Sequence, residues 1–70
     1  MVRAKLRATS HAVPVIDLDS GQQTLLVNDG KVFMAESSDL LNNVYYNYII
    51  RQLDAGTVYA INSLDLDFTQ

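Results

Sequence analysis

Residues 2–8 alternate strictly between apolar and basic side chains. One set comprises Val2, Ala4, Leu6 and Ala8, and the other comprises Arg3, Lys5 and Arg7. A period of two residues is that of a β-strand with one buried face. The segment therefore predicts a strand that packs on a core through its apolar side and carries a basic row on the other.

The end of the chain repeats this alternation with acidic residues, in the run Leu64, Asp65, Leu66, Asp67 and Phe68. Opposite charges that face each other across two strands stabilise a sheet by roughly 0.2–1 kcal/mol per pair. We therefore expect the first and last strands to be neighbours, within one chain or across a dimer; the alternative is two unrelated solvated edges whose charges discourage aggregation. The predicted charge-paired residues are Arg3, Lys5, Arg7, Asp65 and Asp67.

Three further strands are predicted over residues 13–19, 24–27 and 32–35. Asp29-Gly30 separates the last two, and Asp-Gly between apolar runs is a strong hairpin signal. Pairing across that turn would leave Leu26 and Phe33 on the second face of the hairpin. We expect this face to be either covered or a contact surface.

One helix is predicted over about residues 38–55. Ser38 is a good N-cap residue, Asp39 complements the helix dipole, and Gly56 is a typical residue to end the helix. One apolar stripe would pack on the sheet. A second stripe, formed by Tyr46, Ile50 and Leu53 at helical spacing, exceeds what a helix on one sheet needs and predicts a partner interface.

The pattern as a whole predicts an α+β fold in a single domain of residues 1–70. It consists of a mainly antiparallel sheet of four to five strands with one helix packed on one face, in the order β-β-β-β-α-β. The last strand would cover residues 57–68, with a bend at Asn62-Ser63. No internal repeat or linker interrupts the chain.

The chain has 70 residues, no cysteine and one histidine, so neither a disulfide nor a structural zinc site can reinforce it. Below roughly 80 residues one core seldom supplies more than about 3–5 kcal/mol, which makes association with another chain the remaining remedy. The acidic pairs Asp17/Asp19 and Asp65/Asp67 could each hold a cation, but solvated or salt-bridged strand faces explain them more simply.

Catalytic chemistry is poorly represented. Ser10 and His11 are adjacent and would point to opposite sides of an extended chain, so we expect no enzyme activity and no cofactor. The net charge of −3 argues against a uniformly basic nucleic-acid binder. Neither a signal peptide nor a membrane span is recognisable, and a cytoplasmic protein with no membrane partner is expected.

These observations favour a small non-enzymatic protein–protein interaction module that forms a homodimer and acts as a regulator or accessory subunit. The alternative is an acidic phage or mobile-element inhibitor of a host nucleic-acid-handling enzyme. A nucleic-acid-binding protein that uses Arg3, Lys5 and Arg7 is less favoured. The predicted interface residues are Tyr46, Ile50, Leu53, Leu26 and Phe33.

Overall fold

The computed structural model describes residues 2–39, 43–53 and 56–68, which form one antiparallel sheet of seven strands and contain no α-helix. The strands are β1 (Val2–Leu6), β2 (Ala12–Asp17), β3 (Gln23–Val27), β4 (Val32–Ser37), β5 (Tyr48–Gln52), β6 (Val58–Ile61) and β7 (Leu66–Phe68). Their order in the sheet is β3-β2-β6-β5-β4-β1-β7. The α+β prediction is therefore wrong, and the protein is all-β.

Strand β5 lies where the helix was predicted. Ile50 is fully buried, while its neighbour Arg51 is exposed, as expected for a period of two residues. The run 44–50 is rich in β-branched and aromatic side chains, which favour strands. Before β5, the Asn43 side chain accepts the backbone N–H groups of Tyr45 and Tyr46, which makes a turn. Residues 40–42 and 54–55 of the predicted helix lie outside the described residues.

The predicted hairpin between β3 and β4 is also wrong. Val27 pairs with Ala12 on β2, and Val32 pairs with Lys5 on β1. Gly30 does adopt the positive φ of +81° that a tight turn uses. Gly30 thus has the predicted backbone conformation, but residues 28–31 form no hydrogen-bonded backbone turn and lead the chain to a different part of the sheet instead of folding it back on β3.

The predicted last strand, residues 57–68, is divided into two strands with different neighbours. Strand β6 lies between β2 and β5, whereas β7 pairs with β1 at the end of the sheet. A single 3-10 turn, Ser63–Asp65, separates them, and the Asn62 side chain caps it by accepting the Leu64 N–H at 2.8 Å. This change of direction takes Asp65 out of the strand to which the alternation assigned it.

The sheet is strongly curled. Strands β1 and β2 lie four positions apart, which corresponds to about 19 Å in a flat sheet with strands about 4.8 Å apart. The short connection between them contains a tight turn in which Ser10 N–H donates to the Arg7 carbonyl at 3.0 Å. Near-equal dimensions of 26 × 23 × 22 Å agree with a sheet that wraps around its own core.

The core consists of the inward-facing apolar side chains of six strands, with Leu26 of β3 packed against them. The buried members are Ala4, Leu6, Val13, Val15, Phe33, Ala35, Ile50, Ile61 and Leu66. Because side chains alternate along each strand, the residues between these positions face outward. The outer face of the curled sheet is therefore where a partner can be met.

The strand assignment of β5 can be tested by a matched pair of substitutions. Ile50→Ala leaves a cavity in the core and should lower the free energy of unfolding by about 2–5 kcal/mol. Ile49→Ala, on the half-buried outer side, should cost less than half as much. Urea unfolding followed by circular dichroism measures both values. Equal losses would contradict the alternation described for β5.

Candidate protein-interaction surface

The structure does not bring the predicted interface residues together on one exposed face. Phe33 and Ile50 are buried in the core, and Leu26 packs against it. Tyr46 is only 9% exposed, and its hydroxyl accepts a hydrogen bond from the Gln23 side chain at 3.0 Å. Leu53, 58% exposed, lies beyond the end of β5. Most of these apolar side chains are thus used by the chain's own packing.

An apolar surface that the sequence analysis missed lies on the outer side of β2 and β3. Val13 and Val15 point into the core, so the alternate residues of β2 face outward. In the strand register, Pro14 lies opposite Leu25 and Ala12 lies opposite Val27. We refer to this surface as the β2–β3 face; it comprises Ala12, Pro14, Ile16, Leu25 and Val27.

The β2–β3 face exposes two large aliphatic side chains side by side. Leu25 is 67% exposed and Val27 is 70% exposed. A single exposed aliphatic residue is ordinary, but adjacent ones on one face form a patch that is typical of an interaction site. The sequence did carry the signal, because Leu25 and Val27 alternate along the segment. The incorrect hairpin hid it by assigning Leu25 a partner on β4.

Two hydrogen bonds define which backbone groups of β3 face its neighbour. At one end Asn28 N–H donates to the His11 carbonyl at 2.9 Å, and at the other Asp17 N–H donates to the Gln22 carbonyl at 2.9 Å. Hydrogen-bonded pairs occur at every second position of an antiparallel ladder. Between these two ends, Leu26 and Thr24 therefore bond to β2.

The remaining residues of β3 direct their backbone groups away from β2. They are Gln23, Leu25 and Val27, and their N–H and C=O groups form what we term the β3 edge. Pro14, which has no N–H, lies opposite Leu25 at a position that needs no donor to β3, in agreement with this assignment. In the described part of the chain, no strand pairs with the β3 edge.

The two edges of the sheet differ in how they are protected. Strand β7 carries Asp67 among its described residues, and a charged side chain on an edge strand resists pairing with other chains. Strand β3 has five residues and carries no charge, proline or glycine. Natural proteins usually block such an edge, because unpaired backbone groups on an uncharged strand can pair with another chain.

The charged residues lie on the other half of the outer face. Arg3 and Arg51 flank Met34 in one row across β1, β4 and β5. Lys5 lies directly opposite Asp67, so the terminal strands are neighbours within one chain. Among the described outward strand positions, the basic residues are Arg3, Lys5 and Arg51 and the acidic ones are Glu36 and Asp67, a surplus of one positive charge.

The other two members of the predicted charge-paired set, Arg7 and Asp65, are joined by a backbone hydrogen bond. Arg7 N–H donates to the Asp65 carbonyl at 2.8 Å, which extends the contact between β1 and the segment before β7. One carboxylate oxygen of Asp65 is buried without a hydrogen-bond partner. Asp67 in turn accepts the Ala8 N–H at 3.1 Å, so its carboxylate also fixes the end of β1.

In each of the two acidic pairs, one carboxylate accepts backbone N–H groups, Asp17 in one and Asp67 in the other. The Asp17 carboxylate accepts the N–H groups of Asp19 at 2.8 Å and Ser20 at 3.4 Å, and these hydrogen bonds stabilise the turn after β2. Across the described ranges, no group of three or more potential metal ligands is found. His11 is exposed at the start of β2.

A cleft of about 480 Å³ lies at the loops before β5, lined by Ser37, Ser38, Asp39, Asn43, Val44, Asn47 and Tyr48. Its amide side chains hold the local backbone, because Asn43 caps the turn described above and the Asn47 side chain accepts the Ser63 N–H at 3.0 Å. The cleft therefore offers less evidence of function than the β2–β3 face.

No family model matches this sequence, and no significant similarity to a curated protein or a solved structure is found. Within the residues that the structure describes, none of the helical segments has the length and apolar character needed to cross a membrane. Function is therefore inferred from the geometry of the chain itself.

The position of Lys5 opposite Asp67 in the strand register predicts that the two charges are coupled in their effect on the free energy of unfolding. Lys5→Glu and Asp67→Lys should each destabilise the fold, and the double variant should recover roughly 0.2–1 kcal/mol relative to the sum of the two losses. Urea unfolding of the four proteins measures this coupling. A control cycle combines Lys5→Glu with Asp19→Lys. Asp19 lies in the turn after β2 and does not pair with β1, so this cycle should show little coupling. A coupling in the control cycle equal to that of Lys5 and Asp67 would contradict the prediction.

Proposed function

We propose that this chain is a protein-interaction module without catalytic activity of its own, acting as a regulator or accessory subunit. It binds through the β2–β3 face together with the β3 edge. The observation that carries the proposal is the exposure of Leu25 and Val27 beside an uncharged strand edge that pairs with no other strand in the described residues.

The mode of binding that fits this geometry is β-strand addition. A strand of the partner aligns with β3 and forms backbone hydrogen bonds with the β3 edge, which supplies affinity independent of sequence. The partner's alternate side chains then meet Leu25 and Val27, which lie two positions apart on one side of the strand. These apolar contacts supply the selectivity.

The charge distribution supports apolar recognition over nucleic-acid binding. The basic row of β1 is accompanied by Glu36 and Asp67 on the same half of the outer face, which leaves little net positive charge for phosphates. The other acidic residues of the described ranges are spread over the end of β2, the 3-10 turn before β7 and the connections between strands; Asp29, for example, pairs with Lys31 at 3.5 Å. An inhibitor that mimics a row of phosphates would be expected to line its carboxylates along one surface.

Site-specific photo-crosslinking tests the proposed function. A photoreactive phenylalanine analogue at position 25 should form crosslinks to a protein, either another copy or a different chain, in extracts of cells that naturally express it. The same analogue at position 53 replaces a leucine of similar exposure that lies beyond β5 and outside the β2–β3 face, and it should give few crosslinks. Crosslinks from position 53 alone would overturn the proposal.

A further inference from the structure

The geometry points to a second copy of this chain as the occupant of the β3 edge. We propose that two β3 strands pair antiparallel about a two-fold axis that passes between their Leu25 residues. This inference rests on the proposed function, since it uses the same edge, and it names the partner and the register of pairing.

The first argument is that the β3 edge is complementary to itself. With Leu25 opposite Leu25 of the other copy, Gln23 lies opposite Val27 and all of these are hydrogen-bonded positions. The three N–H and three C=O groups that each copy directs away from β2 then pair completely, in six hydrogen bonds. A register shifted by two residues would leave some of these groups without a partner. One arrangement is therefore preferred.

The second argument concerns charge. The chain carries a net charge of −3, so two copies repel each other unless they meet where acidic side chains are absent. Residues 22–28 contain no charged side chain. By contrast, two β7 strands paired about their centre would place Asp67 opposite Asp67, and like charges in opposite positions destabilise a sheet. Self-association is thus directed to β3.

The third argument concerns the side chains beside the axis. In the paired arrangement the two Leu25 residues face each other on the outer side of the sheet, and Pro14 lies opposite each of them within its own copy. The result is a continuous apolar band across the joined sheets. A five-residue strand is only about 17 Å long, so the interface lies at the small end of the range for specific complexes and the dimer should be concentration-dependent.

Sedimentation equilibrium of the purified full chain, from micromolar to millimolar concentration, tests the inference. The wild-type mass should rise towards twice that of the monomer. Leu25→Lys and Leu25→Glu should each weaken dimerisation by at least about tenfold, because each places like charges opposite one another and removes the leucine contact. Leu53→Lys, a matched change of an exposed leucine away from β3, should leave the dimer unchanged.

Mixing the Leu25→Lys and Leu25→Glu variants provides the sharpest test of the register. Position 25 of one copy faces position 25 of the other in the proposed arrangement, whereas an antiparallel register shifted by two residues places it opposite position 23 or 27. The mixture should therefore form a heterodimer although neither variant dimerises well alone. Circular dichroism and thermal melting show whether each variant folds as the wild type does. We expect both variants to fold, because residue 25 is mostly exposed.

Two results would overturn the inference. One is a wild-type chain that remains monomeric at millimolar concentration, and the other is a dimer that forms equally well with Leu25→Lys. If position 25 then still crosslinks a different protein, the proposed function stands with another partner. If position 25 crosslinks nothing and position 53 does, both proposals fail.

Discussion

The rest of the fold depends on the hydrogen bonds of the Asn28 side chain, which hold together two distant parts of the sheet. Its side-chain amide donates to the Arg7 carbonyl at 3.0 Å and the Ser10 carbonyl at 2.9 Å, in the connection between β1 and β2. Asn28 directly follows β3, so the end of one edge strand is tied to the end of β1, the neighbour of the other edge strand. A chain of 70 residues cannot cover both faces of a flat seven-stranded sheet. Curling gives it one enclosed face and one core.

Most strands were predictable because their signal is local, whereas the strand pairings, apart from that of β1 with β7, were not. The alternation of β1 requires only neighbouring residues, and both its burial and its proximity to β7 could be inferred from side-chain patterns. The predicted hairpin at Asp29-Gly30 shows the limit of such reasoning. Its glycine has the expected backbone conformation, yet the partners of β3 and β4 are chosen by the closure of the whole sheet. No property of residues 24–35 alone encodes that closure.

The predicted helix failed for a related reason. Strand β5 lies inside the sheet, and its outward residue Ile49 pairs with Ala60, which is 1% exposed although it faces the outer side. A strand with apolar residues on both faces has no clean period of two, so its apolar run also fits helical spacing. That ambiguity assigned the core residue Ile50 to a second helical stripe and so named a buried residue as part of an interface. The β2–β3 face becomes visible as a candidate only when the register is known.

The two edges of the sheet differ in charge, and this difference is the basis for interpreting the outer surface. At β7 the chain uses a usual protection, the charged residue Asp67, which lies opposite Lys5 of the neighbouring strand. One lysine or glutamate at position 25 or 27 would protect β3 in the same way, and its charge would stay in solvent with little loss of folding stability. The strand instead carries Leu25 and Val27 there. The proposed association rests on this contrast, because an apolar edge without such protection otherwise only promotes uncontrolled aggregation.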